Sequence, residues 1–188
     1  VVDCRPPEAF SAHIPGAINV GIGNSFATWA GSVLPPDRDL VLVLDRAEDL
    51  WEVCWQLLRI GYPLPRGWLG GGMLAWRTAG KPIDVLPQWT VRELRQALDK
   101  DRDLVVLDVR QPAEWSAGHI PEARHVTGTE ITARVDELPK DRPIASICGS
   151  GYRSSVAASV LKAQGHREVY NVLGGMTGWE AEGFKTTP

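Results

Sequence analysis

The chain has 188 residues, 44% of them hydrophobic and 23% charged, with a formal net charge of −3 at neutral pH. That is room for one large or two small globular domains. The slightly acidic balance lacks the electrostatic footprint of a nucleic-acid or anionic-membrane binder, and no apolar run approaches the ~20 residues of a membrane span. Three cysteines, Cys4, Cys54 and Cys148, are too few for a disulfide framework and point to a reducing, cytoplasmic compartment. The four histidines have no metal-ligand spacing, and no glycine motif for a nucleotide phosphate is present. Eight tryptophans are expected to serve packing in the core and between domains.

Taken in order, the chain reads as two copies of one unit. Asp3-Cys4-Arg5-Pro6-Pro7-Glu8-Ala9-Phe10 is echoed by Asp108-Val109-Arg110-Gln111-Pro112-Ala113-Glu114-Trp115. His13-Ile14-Pro15 returns as His119-Ile120-Pro121, and Gly71-Gly72-Met73 as Gly174-Gly175-Met176. The offsets are 105, 106 and 103 residues, a drift that short loop insertions explain. Pro82 and Pro87 punctuate the junction, so the expected domains are 1–82 and 83–188. Thr90-Val91-Arg92-Glu93 forms a capping box for a helix to about Leu98. Leu104–Val109 and Val169–Leu173 are apolar runs of buried strands. Alternating strands and helices predict an α/β fold, each domain a parallel sheet covered by helices on both faces.

The most informative stretch is Ile147-Cys148-Gly149-Ser150-Gly151-Tyr152-Arg153-Ser154-Ser155. An apolar strand, Ile144 to Ile147, hands a cysteine to a glycine-bearing turn, and a helix from Ser154 to Gln164 follows. Inward backbone N–H groups, the helix N-terminus and the Arg153 cation all favour an anion at Cys148. A lone cysteine at a strand end is ordinarily a packing residue. The two glycines, the arginine and the helix start favour chemistry instead. Arg110 either lines the pocket entrance or pairs with Glu114 to pin the turn. His119 is expected to hydrogen-bond structurally, since the first copy keeps His13 without a nucleophile. In that copy Asp45 stands at the position of Cys148, Glu48 at that of Gly151 and Leu50 at that of Arg153. Its loop would repel an anion, and Cys4 and Cys54 read as packed residues.

The pattern Cys148-x-x-Gly151-x-Arg153-Ser154 resembles the active-site loop of the rhodanese (sulfurtransferase) family. Leu107-Asp108-Val109-Arg110, Gly118-His119-Ile120-Pro121 and Leu173-Gly174-Gly175-Met176-Thr177-Gly178-Trp179 are similar to its other signatures, in the same order. The resemblance implies a Cys148 persulfide, drawn from a sulfane-sulfur donor and passed to a thiol or to cyanide. It makes Cys148 and Arg153 catalytic and Gly149, Ser150, Gly151, Tyr152 and Arg110 substrate-binding, with no cofactor in this chain. Gly149 departs from the basic residue that many thiosulfate-using relatives carry there, which leaves room for a bulkier donor such as glutathione persulfide. Two other readings remain. One is a cysteine-dependent phosphatase or arsenate reductase, whose loop typically places five residues between Cys and Arg where this chain has four. The other is a non-catalytic sulfur-carrier or regulatory module.

Only Val1 and Val2 precede Asp3, whereas a capped helix leads into Asp108. An α/β domain without its opening helix exposes one face of its sheet. The expectation is a longer parent polypeptide. Gly21-Ile22-Gly23-Asn24-Ser25-Phe26-Ala27-Thr28-Trp29-Ala30-Gly31 resembles bacterial proteins that fuse a metallo-β-lactamase-fold persulfide dioxygenase to two rhodanese domains. That resemblance implies a non-haem iron site in a preceding domain and a shared persulfide pool.

Overall fold

A computed structural model describes all residues 1–188. The chain divides into two compact units, Val1–Val85 and Leu86–Pro188. The division falls between the two prolines of the junction, Pro82 and Pro87, because Asp84–Val85 (β6) still pairs antiparallel with Ala12–His13 (β2).

The first unit holds four parallel strands in the order β3-β1-β4-β5: Ile18–Asn19 (β3), Val2–Asp3 (β1), Val41–Val43 (β4) and Gly67–Trp68 (β5). Helices α1 (Phe26–Val33) and α2 (Leu50–Arg59) pack on each other, and α3 (Gly72–Thr78) follows β5. α2 begins at Leu50, directly after a 3-10 turn over Ala47–Asp49.

The second unit is the fuller copy. Its five parallel strands run in the order β7-β11-β10-β8-β9: Gln88–Trp89 (β7), Val169–Val172 (β11), Ile144–Ile147 (β10), Val105–Asp108 (β8) and Arg124–His125 (β9). Every residue of β8 and β10 is buried, as strands between two helical layers must be. On one face α4 (Val91–Lys100) and α8 (Gly175–Ala181) contribute Val91, Leu94, Met176 and Trp179 to a core with Val106, Ala145, Ile147 and Val172. The capping box that starts α4 is formed, Thr90 Oγ1 accepting from Glu93 N–H and Glu93 accepting from Thr90 N–H. α7 (Tyr152–Ala163) packs against β10 and β11, buried from Ser154 to Leu161. Short helices α5 (Pro112–Ala117) and α6 (Ile131–Arg134) complete the unit.

The two copies differ at one sheet edge. β11 is flanked by β7, whereas β5 is the outermost strand of its sheet. The expectation that the tryptophans are packed fails here. Trp29 and Trp179 are buried, but Trp51 is 73% exposed, Trp55 61% and Trp68 38%. Leu74 of α3, 76% exposed, belongs to the same unit. No helix of either unit is long and apolar enough to cross a membrane.

Candidate active site

Cys148 directly follows β10, the central strand of the second sheet, at its carboxyl end. That end is where open parallel sheets place ligands. The loop is held from behind by α8. Met176 N–H donates to Cys148 O at 2.7 Å, Thr177 N–H to Gly149 O at 3.1 Å, and Gly174 N–H to Ser150 O at 3.0 Å. Three consecutive loop carbonyls are thereby tied to one side. The close approach needs glycine: a Cβ on Gly175, at φ +52°, would lie 2.3 Å from Cys148 O. Gly151, at φ +117°, makes the turn into α7, where a side chain would be strained.

The thiol sits at the focus of that turn and is almost fully buried. Gly151 N–H points at Cys148 Sγ at 3.1 Å, and Ser154 Oγ lies 3.4 Å from it. The N-terminus of the 12-residue α7 therefore faces the sulfur. Of the other predicted loop residues, Ser150 is exposed at the tip, Gly149 and Tyr152 are half-buried and Gly151 is buried.

Arg153 lies beside the sulfur, but its chief partner is Glu114 of α5. Nη1 and Nη2 reach the two carboxylate oxygens at 2.6 and 2.7 Å. The guanidinium pKa is raised, first by the Glu114 hydrogen bonds and further by Cys148. Those same bonds hold the Glu114 carboxyl at about 2, against burial, which works the other way. A bidentate pair of this kind fixes direction as well as charge.

Arg110 is not the partner of Glu114, and it does not line the entrance. It is buried, with Nη2 2.7 Å from Asp108 Oδ2 and 2.7 Å from Gly118 O. Asp3 and Arg5 repeat that arrangement at 2.7 Å in the copy without a cysteine nucleophile. The pair therefore serves the fold: two buried charges satisfy each other at the end of a strand. His119 likewise bonds Trp115 O through Nδ1 at 3.1 Å and stacks on the Trp115 ring, as His13 does with Phe10 O and the Phe10 ring.

The other cysteines are held as thiols. Burial raises the Cys4 pKa well above its ordinary value, with Asp3 and Cys54 adding to the effect. Burial also raises that of Cys54. Asp45 and its neighbours through Glu48 are exposed, with Arg46 drawn to Glu48 and Asp49. No group of three His, Cys, Asp or Glu side chains stands close enough to hold a metal ion. A hollow of about 530 Å³ near Arg102, Glu122, Arg124 and Arg142 lies by the start of β8, at the opposite strand ends from Cys148, and has no nucleophile.

Sequence reasoning missed three contributors: Glu114 as the partner of Arg153, the Ser154 hydroxyl, and the α8 N–H groups behind the loop. A signal for Glu114 was present. The first copy has Ala9 at its position and Leu50 at that of Arg153, so both members of the pair are lost together.

The family model described as Rhodanese-like domain matches residues 1–79 and 90–182. The Thiosulfate sulfurtransferase GlpE of Pseudoalteromonas translucida is 38% identical over 92 residues, 49% of this chain and 87% of that protein. A Sulfurtransferase of Allochromatium vinosum is 39% identical over 91 residues, 48% of this chain and 85% of that protein. YrkF of Bacillus subtilis, whose name describes a candidate sulfur carrier, is 38% identical over 94 residues; the match spans 50% of this chain but only 51% of YrkF. The crystal structure of a Rhodanese-like Domain Protein from Staphylococcus aureus superposes with a TM-score of 0.50 at 28% identity, covering 55% of this chain and all of that one.

Proposed function

Because this chain belongs to the rhodanese-like domain family, with one copy in each unit, we propose that its second domain is a sulfurtransferase that carries sulfane sulfur on Cys148. The observation that supports this most is the convergence of Gly151 N–H and Ser154 Oγ on Cys148 Sγ, with Arg153 alongside. Donors aimed at one sulfur favour a thiolate and then the terminal sulfur of a persulfide. The Cys148 thiolate attacks the sulfane sulfur of thiosulfate or of a low-molecular-weight persulfide such as glutathione persulfide. The donor's sulfur–sulfur bond breaks, and its electron pair leaves with sulfite or the donor thiol. A thiol or cyanide acceptor then takes the outer sulfur and restores the thiolate. Two covalent half-reactions give ping-pong kinetics. The reading uses no cofactor in this chain and a cytoplasmic setting. The first domain, with Asp45 in an exposed acidic loop, is assigned no chemistry.

Two finer parts of the proposal concern partners. The sulfur-carrier name of one relative favours a second reading, in which Cys148 holds sulfur without turning over. A persulfide dioxygenase domain in the parent polypeptide would supply or drain the same pool, as the Gly21–Gly31 segment suggests, and the parent reading frame tests that directly.

Mass spectrometry tests the core of the proposal. After donor treatment the Cys148 peptide gains one sulfur atom, which reduction removes and cyanide converts to thiocyanate. Cys148→Ser abolishes the gain while the fold is retained. A gain located on Cys4 or Cys54, or activity persisting in Cys148→Ser, refutes the assignment. Loading without turnover selects the carrier reading.

A further inference from the structure

Resting on Cys148 as the sulfur-accepting nucleophile, we propose that Glu114 is a specificity-determining residue. It cancels the charge of Arg153 at the mouth of the site, turning the site away from thiosulfate-like dianions and toward low-molecular-weight persulfides whose reacting sulfur–sulfur end is uncharged. Both terminal guanidinium nitrogens of Arg153 are engaged by the carboxylate at 2.6 and 2.7 Å. Neither partner is sealed in the core: the Glu114 side chain is 38% exposed and that of Arg153 23%. A donor approaching Cys148 meets the pair, not a free cation.

Nothing nearby restores the missing positive charge. Position 149 is glycine, and a side chain begun there would already stand 3.0 Å from Arg153 Nη2. Arg110 is consumed by Asp108 and Gly118 O in the interior. His119 and His125 stack on Trp115, each with one ring nitrogen at a backbone carbonyl.

The fold itself does not demand the pair. The first domain keeps the equivalents of Asp108–Arg110 and of the His119–Trp115 stack. It has Ala9 and Leu50 where Glu114 and Arg153 stand, and Asp45 in place of Cys148. Glu114 thus varies with the nucleophile and its cation, not with the scaffold. Its other bond, accepting Gln111 N–H at 3.0 Å, is a helix-capping contact that glutamine also provides.

The two donor classes differ in charge at this point. When the Cys148 thiolate attacks thiosulfate, its bond to the sulfane sulfur forms as the sulfur–sulfonate bond breaks. The electron pair leaves on sulfite, and three negative charges share the site. Arg153 alone would offset one of them; Glu114 withdraws that offset. Attack on the terminal sulfur of R–S–SH, with the pair leaving on R–S⁻, carries one negative charge from the thiolate.

Charged thiol reagents read this field without requiring sulfur transfer. The anionic 2-sulfonatoethyl and cationic 2-trimethylammonioethyl methanethiosulfonates are applied to the full chain, with labelling of the Cys148 peptide followed by mass spectrometry. In Glu114→Gln, and again in Glu114→Ala, which copies Ala9, the anionic-to-cationic rate ratio rises about tenfold at low salt, as expected for uncovering one unit charge near a partly solvated thiol, and the rise shrinks in high salt. The thiosulfate-to-cysteine-persulfide ratio of kcat/KM rises in parallel. A ratio unchanged in both variants, or both reagents slowed by one common factor, overturns the role of Glu114. So does a wild-type ratio that already favours the anionic reagent strongly, a measurement that needs no variant to fold. Absence of a persulfide with every donor would instead sink the sulfurtransferase reading, and the reagent ratio would still decide the charge of the mouth.

Discussion

Replacing Gly175 by alanine separates the loop brace from ordinary glycine strain, because the first domain contains its own control. Gly175 sits at φ +52° and its counterpart Gly72 at φ +58°. An alanine at either position pays the left-handed backbone cost of roughly 1–2 kcal/mol. The surroundings then differ. At Gly72 the nearest atom to the new Cβ is Leu44 O at 3.3 Å, which a small shift accommodates. At Gly175 it meets Cys148 O at 2.3 Å and the Gly149 carbonyl at 2.6 Å, all backbone. The loop must retreat, and the bonds from Met176 N–H and Thr177 N–H to those carbonyls are strained or lost. At about 0.5–1.5 kcal/mol each, they add roughly 1–3 kcal/mol to the shared strain. The second domain should remain folded, since domain stabilities run to about 5–15 kcal/mol. A displacement of about 1 Å at the nucleophile, however, lowers reactivity on the order of a hundredfold. Hydrogen–deuterium exchange reads each domain's protection separately, and the rate of Cys148 alkylation reads the loop. If Gly175→Ala costs no more than Gly72→Ala and leaves alkylation unchanged, the α8 brace does not position the thiol.

Two further outcomes follow from the Arg153–Glu114 pair. Arg153→Leu, the residue of the first copy, should slow Cys148 alkylation at neutral pH about tenfold, the value of one charge-assisted hydrogen bond of roughly 1.4 kcal/mol; an unchanged rate removes Arg153 from the site. The Glu114 carboxyl is held at about 2 in the folded chain, against an ordinary value of 4.5, so it stabilises the fold above the higher value and that contribution is lost as pH falls through the lower. The full shift corresponds to about 3 kcal/mol, but with Glu114 38% exposed we expect about 1 kcal/mol. The stability difference between wild type and Glu114→Gln in the second domain should therefore narrow on acidification from pH ~5 toward ~2; a difference constant with pH contradicts the pairing.

The sequence by itself determined the duplication, the parallel α/β class and the loop that carries Cys148. Each is a local or periodic property. A buried parallel strand must be a continuous apolar run, a capped helix announces itself within four residues, and a tight loop around an anion needs glycine and a cation close in sequence. The loss of that loop in the first copy was legible for the same reason, since Asp45, Glu48 and Leu50 replace its parts one by one. Tertiary structure decided the partners of charges. Arg110 lies four residues before Glu114 and looked like its mate, yet the short turn directs Arg110 back onto Asp108, two residues away. Glu114 was left for Arg153, 39 residues further on, because α5 and the start of α7 meet above the strand ends. The exposed apolar side chains near the β5 edge were also invisible in composition, since Trp51 and Trp55 of α2 and Trp68 of β5 read as packing residues until the structure left them exposed, with β5 outermost in its sheet. Sequence spacing fixes which side chains share an element. Which charge meets which across elements depends on where the sheet sets the helix ends, and that is a property of the packed domain alone.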